Sequence, residues 1–318
     1  MADRTLQWAI LPALLLLTIL LGTFRSFSVY SVDNAQVPIH QLTRIPTVVS
    51  TTQATTATTK LAARLPYFAT KTNFLNQKLV KLGWAWTTLV IWLHALAIAS
   101  SFFPSSPSTQ SPKRDHPPPA AQDPSHPSRH VPRILSLHLV ATLLWILFTQ
   151  WCFGSSIFER LLILTGAKCM PSLSPLHSTA TGSPLDQHPT DLENVYCQQR
   201  WGRRLPDLDQ FIIAAYKPYW AEGIDVSGHT FLLSFSILLI VSCLHSSIHL
   251  LWKTKRPELI PRNYRWAVYI NLALLAIWWW MILMTSLYFH GPVEKLSGFA
   301  LGTAAWFLTE VVVDRLLA

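Results

Sequence analysis

The run Asp225-Val226-Ser227-Gly228-His229 stands immediately before a bilayer-length apolar stretch, and a second histidine, His290, follows the next such stretch. Imidazoles can take or give a proton near neutral pH, and an unprotonated ring nitrogen is a nucleophile. Ser227 can cap the helix that begins there, and Asp225 adds negative charge near its positive end. Capping does not account for Gly228 or His229, since neither favours a first helical turn. A helix start opened by Ser-Gly leaves free amides and a dipole suited to phosphate oxygens. Four residues beyond His290 comes Glu294, a carboxylate that can hold one imidazole nitrogen protonated and leave the other free, provided that Gly291-Pro292 opens a new helical turn. The plainer alternatives are an interfacial polar anchor at His290 and ordinary helix flanks at Glu294 and Lys295. Two such histidines on one membrane face favour a site.

Whether the rings can meet depends on the segments between them. The chain has 318 residues, of which 50% are hydrophobic and 13% charged, and its mean hydropathy is +0.30. That is too apolar for an ordinary soluble enzyme of this size. Crossing about 30 Å of hydrocarbon takes about 20 apolar residues in a helix. Six stretches qualify, over residues 6–24, 82–103, 134–153, 226–251, 266–288 and 296–313. The expected fold is therefore all-α, a polytopic membrane domain of six transmembrane helices. The fourth and fifth spans leave one face and return to it, so His229 and His290 share a membrane surface.

The net charge of +9 borders these spans and forms no basic stripe with interleaved aromatics, which argues against nucleic acid as a partner. Between the fourth and fifth spans, Lys253, Lys255, Arg256, Arg262 and Arg265 outweigh Glu258. The positive-inside rule puts that loop, both termini and the 104–132 linker in the cytosol, and the two histidines on the lumenal side. The long loop over 154–225, with more acidic than basic residues, agrees. The first connection runs the other way: Arg25, Arg44, Lys60, Arg64, Lys71, Lys78 and Lys81 outweigh Asp33, although long loops count for less in this rule.

The first span resembles a signal peptide without a convincing cleavage site and is expected to be retained. Residues 47–59 are low-complexity, and 104–132, crowded with Pro, Ser and His, is a disordered linker whose histidines are poorly preorganised for metal. Phe74, Leu75, Leu79 and Leu82 recur at helical spacing among lysines, which suggests an amphipathic helix on the membrane or a simple lead-in to the second span. His94 and His138, each alone on an apolar helix, are expected to be satisfied by neighbouring helices. His245 and His249 have a metal-compatible spacing but no sequence-adjacent third ligand, so no metal is expected there. Trp278-Trp279-Trp280 is expected to pack, and Gly298-x-x-x-Gly302 permits close helix approach. Cys169 and Cys197 can pair in an oxidising compartment or stand as two thiols, and the sequence does not choose.

Two motifs carry a resemblance to a known family: Trp220-x-x-Gly223-x-Asp225-x-Ser227-Gly228-His229-x-Phe231-Leu232-Leu233, and Tyr288-Phe289-His290-x-x-x-Glu294-Lys295-x-x-Gly298. In these, and in its helix count, the chain resembles the fat storage-inducing transmembrane proteins. The similarity implies an endoplasmic reticulum membrane protein with a lipid phosphate phosphatase-like helical core. The implied activity is an acyl-CoA diphosphatase that cleaves fatty acyl-CoA to acyl 4'-phosphopantetheine and adenosine 3',5'-bisphosphate. It would support lipid droplet biogenesis and phospholipid homeostasis, with fatty acyl-CoA and bilayer lipids as partners and no cofactor. By position, His290 matches the attacking histidine and His229 the one that protonates the leaving group. Ser227 and Gly228 would lie against the phosphoryl oxygens, and Glu294 occupies the place of an orienting aspartate.

The chain departs from the phosphatases at Val226, where they have proline, at Leu283-Met284, and in lacking a Lys-x6-Arg-Pro motif. The phosphate-binding cation is left open among Lys217, Lys295, Arg200, Arg203 and Arg204. The alternative function is a non-catalytic diacylglycerol- or triacylglycerol-binding protein that partitions neutral lipid into droplets. Such a protein needs an apolar groove and no paired histidines.

Overall fold

The computed structural model describes residues 2–32, 35–39, 66–70, 72–102, 130–150, 156–170, 219–253 and 260–317. Among these are seven α-helices, α1 (Ala2–Ser26), α2 (Gly83–Phe102), α3 (His130–Thr149), α4 (Ile157–Leu164), α5 (Gly228–Lys253), α6 (Arg262–Tyr288) and α7 (Pro292–Leu316). All but α4 are long and apolar enough to cross a membrane, which makes the protein an all-α, multi-pass membrane protein with six candidate spans. Helix α6 begins directly after Pro261 and α7 carries Pro292 in its first turn, where a missing N–H costs no helical hydrogen bond.

The chain divides into two compact units, residues 1–144 with 227–318, and residues 145–226. In the first, α7 and α6 flank α5, while α1 and α2 pack on α6. Polar side chains within the bundle are joined across helices. Buried Trp278 donates its Nε1–H to Thr87 Oγ1 at 3.2 Å, whereas Trp280 is 48% exposed on the outer face. His94 Nε2 lies 2.9 Å from Ser247 Oγ, and His138 Nε2 3.0 Å from Thr88 Oγ1. Each of these two histidines therefore has its neighbour on another helix. Arg133 of α3 bridges Glu310 and Asp314 near the far end of α7 from Pro292. Two strands, β1 (Val29–Val32) and β2 (Ala35–Pro38), form a short antiparallel hairpin after α1.

The segment ahead of α2 differs from the amphipathic helix that its periodicity suggested. It is a short 3-10 turn, Tyr67–Ala69, followed by a π-helical turn over Leu75–Val80 that runs almost directly into α2. Phe74 and Leu82 are exposed, whereas Asn73, Asn76 and Val80 are buried. The apolar spacing misled because residues in a wider π turn do not fall on the α-helical face. The expected 104–132 linker overlaps α3. Its last three residues are the first turn of α3, and residues 103–129, like the threonine-rich 47–59, lie outside the described residues.

The second unit shows order inside the expected 154–225 loop. Ser156 accepts the Glu159 N–H at 3.3 Å and starts α4. Strands β3 (Lys168–Met170) and β4 (Tyr219–Ala221) pair antiparallel, with Cys169 opposite Trp220. Cys169 is buried and disulfide-bonded, to a partner outside the described residues, where Cys197 also lies.

Candidate active site

The site assembles where α5 begins and α6 turns into α7. Ser227 precedes α5 as its cap: its Oγ accepts the Thr230 N–H at 3.3 Å and lies 2.9 Å from Thr230 Oγ1. Such a cap is worth about 1 kcal/mol. Ser227 is wholly buried, with its hydroxyl facing Thr230 at the helix start. Gly228, the first residue of α5, is exposed, and at that position its amide has no intrahelical acceptor. His229 follows, partly buried. Asp225 lies exposed in the second unit, two residues before Ser227.

On the opposing segment, α6 ends at Tyr288, Phe289 is extended, and His290 has φ of 61°. A non-glycine residue in the left-handed region costs about 1–3 kcal/mol and persists only where its surroundings over-determine it. Glu294 does much of that. Its Oε2 accepts the Gly291 N–H at 2.7 Å and lies 3.3 Å from His290 Nδ1. An ionised carboxylate only accepts, so in the neutral ring Nδ1 is the nitrogen that carries the proton and Nε2 keeps its lone pair. The backbone carbonyl of the same Glu294 accepts the Ser227 N–H at 3.0 Å. One residue thus orients the His290 ring with its side chain and ties the two histidine-bearing segments together with its main chain.

Small residues make that tie possible. A Cβ on Gly298 would lie 2.5 Å from Ser227 O, and one on Gly302 would lie 2.8 Å from Phe231 O. The glycine pair therefore brings α7 into backbone contact with the first turns of α5. The His229 and His290 ring centroids come to 6.4 Å at an interplanar angle of 52°. Phe289 is the other ring beside His229, at 6.3 Å.

His229 also lines a small cleft of about 10 Å³, on the order of a single water, with Phe68, Asn73, Asn76, Met281, Met284, Thr285 and Phe289. Sequence reasoning missed the 66–82 wall of this cleft. The signal was present in Asn73 and Asn76, two amides three residues apart among lysines, but they read as part of a membrane-lying surface.

Of the cations left open above, Lys295 is wholly buried and donates to Ser286 O at 2.7 Å, at the C-terminal end of α6 where orphan carbonyls need donors. Lys217, Arg200, Arg203 and Arg204 lie outside the described residues. Among the described residues no three His, Cys, Asp or Glu converge as metal ligands.

Two imidazoles on one side of a helix start, one oriented by a carboxylate, can perform nucleophilic attack and proton transfer at a single centre. The profile of one family, the fat storage-inducing transmembrane proteins, matches residues 64–309 of this chain. The chain belongs to that family. An acyl-coenzyme A diphosphatase of Xenopus tropicalis is 31% identical over 247 residues, which is 76% of this chain and 71% of the relative. An acyl-coenzyme A diphosphatase of Schizosaccharomyces pombe is 26% identical over 254 residues, 79% of this chain and 76% of its own. The human acyl-coenzyme A diphosphatase is 28% identical over 246 residues, 76% and 71% of the two chains. No solved structure gives a significant match. The matched region spans both histidines and also the 66–82 segment that walls the cleft.

Proposed function

We propose that this family member is an acyl-CoA diphosphatase of the endoplasmic reticulum membrane. It hydrolyses the P–O–P anhydride of fatty acyl-CoA to acyl 4'-phosphopantetheine and adenosine 3',5'-bisphosphate. The activity in the relatives' names supports the reaction class. The observation that carries the assignment of roles is the pair of rings at 6.4 Å, with Glu294 holding His290 and Ser227 together.

In this scheme His290 Nε2 attacks one phosphorus while the bond from that phosphorus to the bridging oxygen breaks. His229 gives its proton to the leaving phosphate oxygen. His229, now neutral, then takes a proton from water, which attacks the phosphohistidine, releases the second phosphate product and regenerates His290. One water is consumed for each anhydride cleaved. The exposed Gly228 amide and the positive end of α5 face the developing charge. Glu294 keeps Nδ1 protonated during attack.

The helical core is taken as lipid phosphate phosphatase-like, with the acyl chain in bilayer lipid, the termini cytosolic and the site lumenal. The physiological role is in lipid droplet biogenesis and phospholipid homeostasis. A disulfide at Cys169 fits an oxidising compartment for the second unit.

The test is hydrolysis of palmitoyl-CoA by purified protein, with trapping of a phosphohistidine. His229→Ala and His290→Ala should each lose at least about 10²-fold in kcat, and the phosphoryl group should map to His290. Wild-type turnover in both variants would return the protein to neutral-lipid binding without catalysis.

A further inference from the structure

A diphosphate substrate needs a cation at its phosphoryl oxygens, and Lys295 is turned away to Ser286 O. The first connection meanwhile carries an excess of positive charge that the positive-inside rule does not explain. The π-helical turn before α2 connects these facts. In an α-helix, residues five apart point about 140° away from each other. Here the Lys81 N–H bonds Asn76 O at 3.1 Å, an i to i+5 bond that swings the fifth residue nearer the first than an α-helical turn would. The bond ties the Lys81 backbone to Asn76, which is buried and lines the cleft with His229.

The turn is locked from below, since Asn73 Oδ1 accepts the Asn76 N–H and Asn73 Nδ2 donates to Thr70 O, each at 2.7 Å. From above, Gly83 sets the start of α2 against α5: a Cβ there would lie 2.9 Å from Leu232 Cδ2. Lys81 is exposed, and among the described residues its ammonium gives one hydrogen bond, 2.7 Å to Gln77 Oε1, so two of its three donors remain for a ligand.

We propose that Lys81 is the phosphate-gripping cation of this site, presented to the substrate's diphosphate by the π-helical turn whose Asn76 walls the cleft beside His229. This rests on the acyl-CoA diphosphatase reading. It supplies the charge that the missing Lys-x6-Arg-Pro motif would otherwise provide, from a part of the chain before the second span. Exposure suits the role, because the nucleotide half of the substrate is strongly anionic and arrives from water.

The experiment compares wild type with Lys81→Gln and Lys81→Arg in detergent. It measures palmitoyl-CoA hydrolysis, thermal unfolding, and the rise in Tm caused by orthovanadate, a phosphoryl analogue. Lys81→Gln should lose about 10² in kcat/KM and most of the vanadate-induced rise, with its own Tm unchanged. Lys81→Arg should recover to within about 10-fold of wild type, since it keeps the charge but alters the geometry. Wild-type kcat/KM and an undiminished vanadate effect in Lys81→Gln overturn the proposal. Equal losses in both variants with vanadate stabilisation intact also overturn it, since they point to a structural role. His229→Ala and His290→Ala at wild-type turnover would instead sink the two-histidine reading, whatever Lys81 does.

Discussion

Replacing Gly298 with alanine tests how the site is held together. The new Cβ would lie 2.5 Å from Ser227 O and 3.2 Å from Phe231 N, both backbone atoms at the start of α5. Ordinary contact begins near 3.4 Å, so α5 and α7 must separate by about 0.9 Å at this point. Rigid helices cannot absorb that locally. The separation stretches the 3.0 Å bond from Ser227 N–H to Glu294 O and carries His229 away from His290. Overpacking of this kind costs about 1–3 kcal/mol, and a misplacement near 1 Å can cost about 10²-fold in rate. Gly298→Ala is therefore expected to lower kcat for palmitoyl-CoA by about 10² with a modest fall in Tm.

Gly302→Ala is the comparison. It meets Phe231 O at 2.8 Å, one turn further from the histidines, and should lower Tm similarly while sparing more of kcat. Turnover of Gly298→Ala equal to wild type, at an unchanged Tm, would refute the claim that this helix contact sets the distance between the two rings.

Glu294→Gln keeps an acceptor for the Gly291 N–H but loses the charge on His290, so kcat should fall at least about 10-fold with Tm nearly held. Glu294→Ala should lose both, its missing cap worth about 0.5–2 kcal/mol in unfolding measurements. Arg133→Met leaves Glu310, 4% exposed, without its partner and should destabilise by about 3–5 kcal/mol. The double variant Arg133→Met with Glu310→Met should regain most of that in a melting assay, and failure to regain any would show that the ion pair is not the cause. Cys169 should react with a maleimide only after reduction, as mass spectrometry of the labelled peptide can check, and labelling without reductant would contradict the disulfide. Cysteines placed at 229 and 290 should label from one side of the membrane, and labelling from opposite sides would separate the two halves of the site.

Much of this site was legible before any coordinates, for local reasons. His229 and His290 lie at the ends of two successive spans, and an even number of crossings returns the chain to the same face whatever the packing. Glu294 stands one helical turn from His290, so its reach to Nδ1 depended only on a turn forming. The helix count likewise follows from composition. Ser227 was read as a group touching phosphate as well as a cap. The structure shows the cap, with the Ser227 hydroxyl accepting the Thr230 N–H and facing the Thr230 hydroxyl.

What the amino-acid order determined alone is the set of apolar lengths and the shared face of the histidines, because span length and crossing parity are properties of contiguous residues. Tertiary structure alone decided that Glu294 joins both segments, that Gly298 sets their separation, and that Lys295 turns to Ser286 O. It also decided that a π turn ties the Lys81 N–H to Asn76 O, beside the cleft that His229 lines. Each of these depends on which helix surfaces meet and on a backbone hydrogen-bond register that changes a side chain's direction by more than 90° without changing its place in the chain.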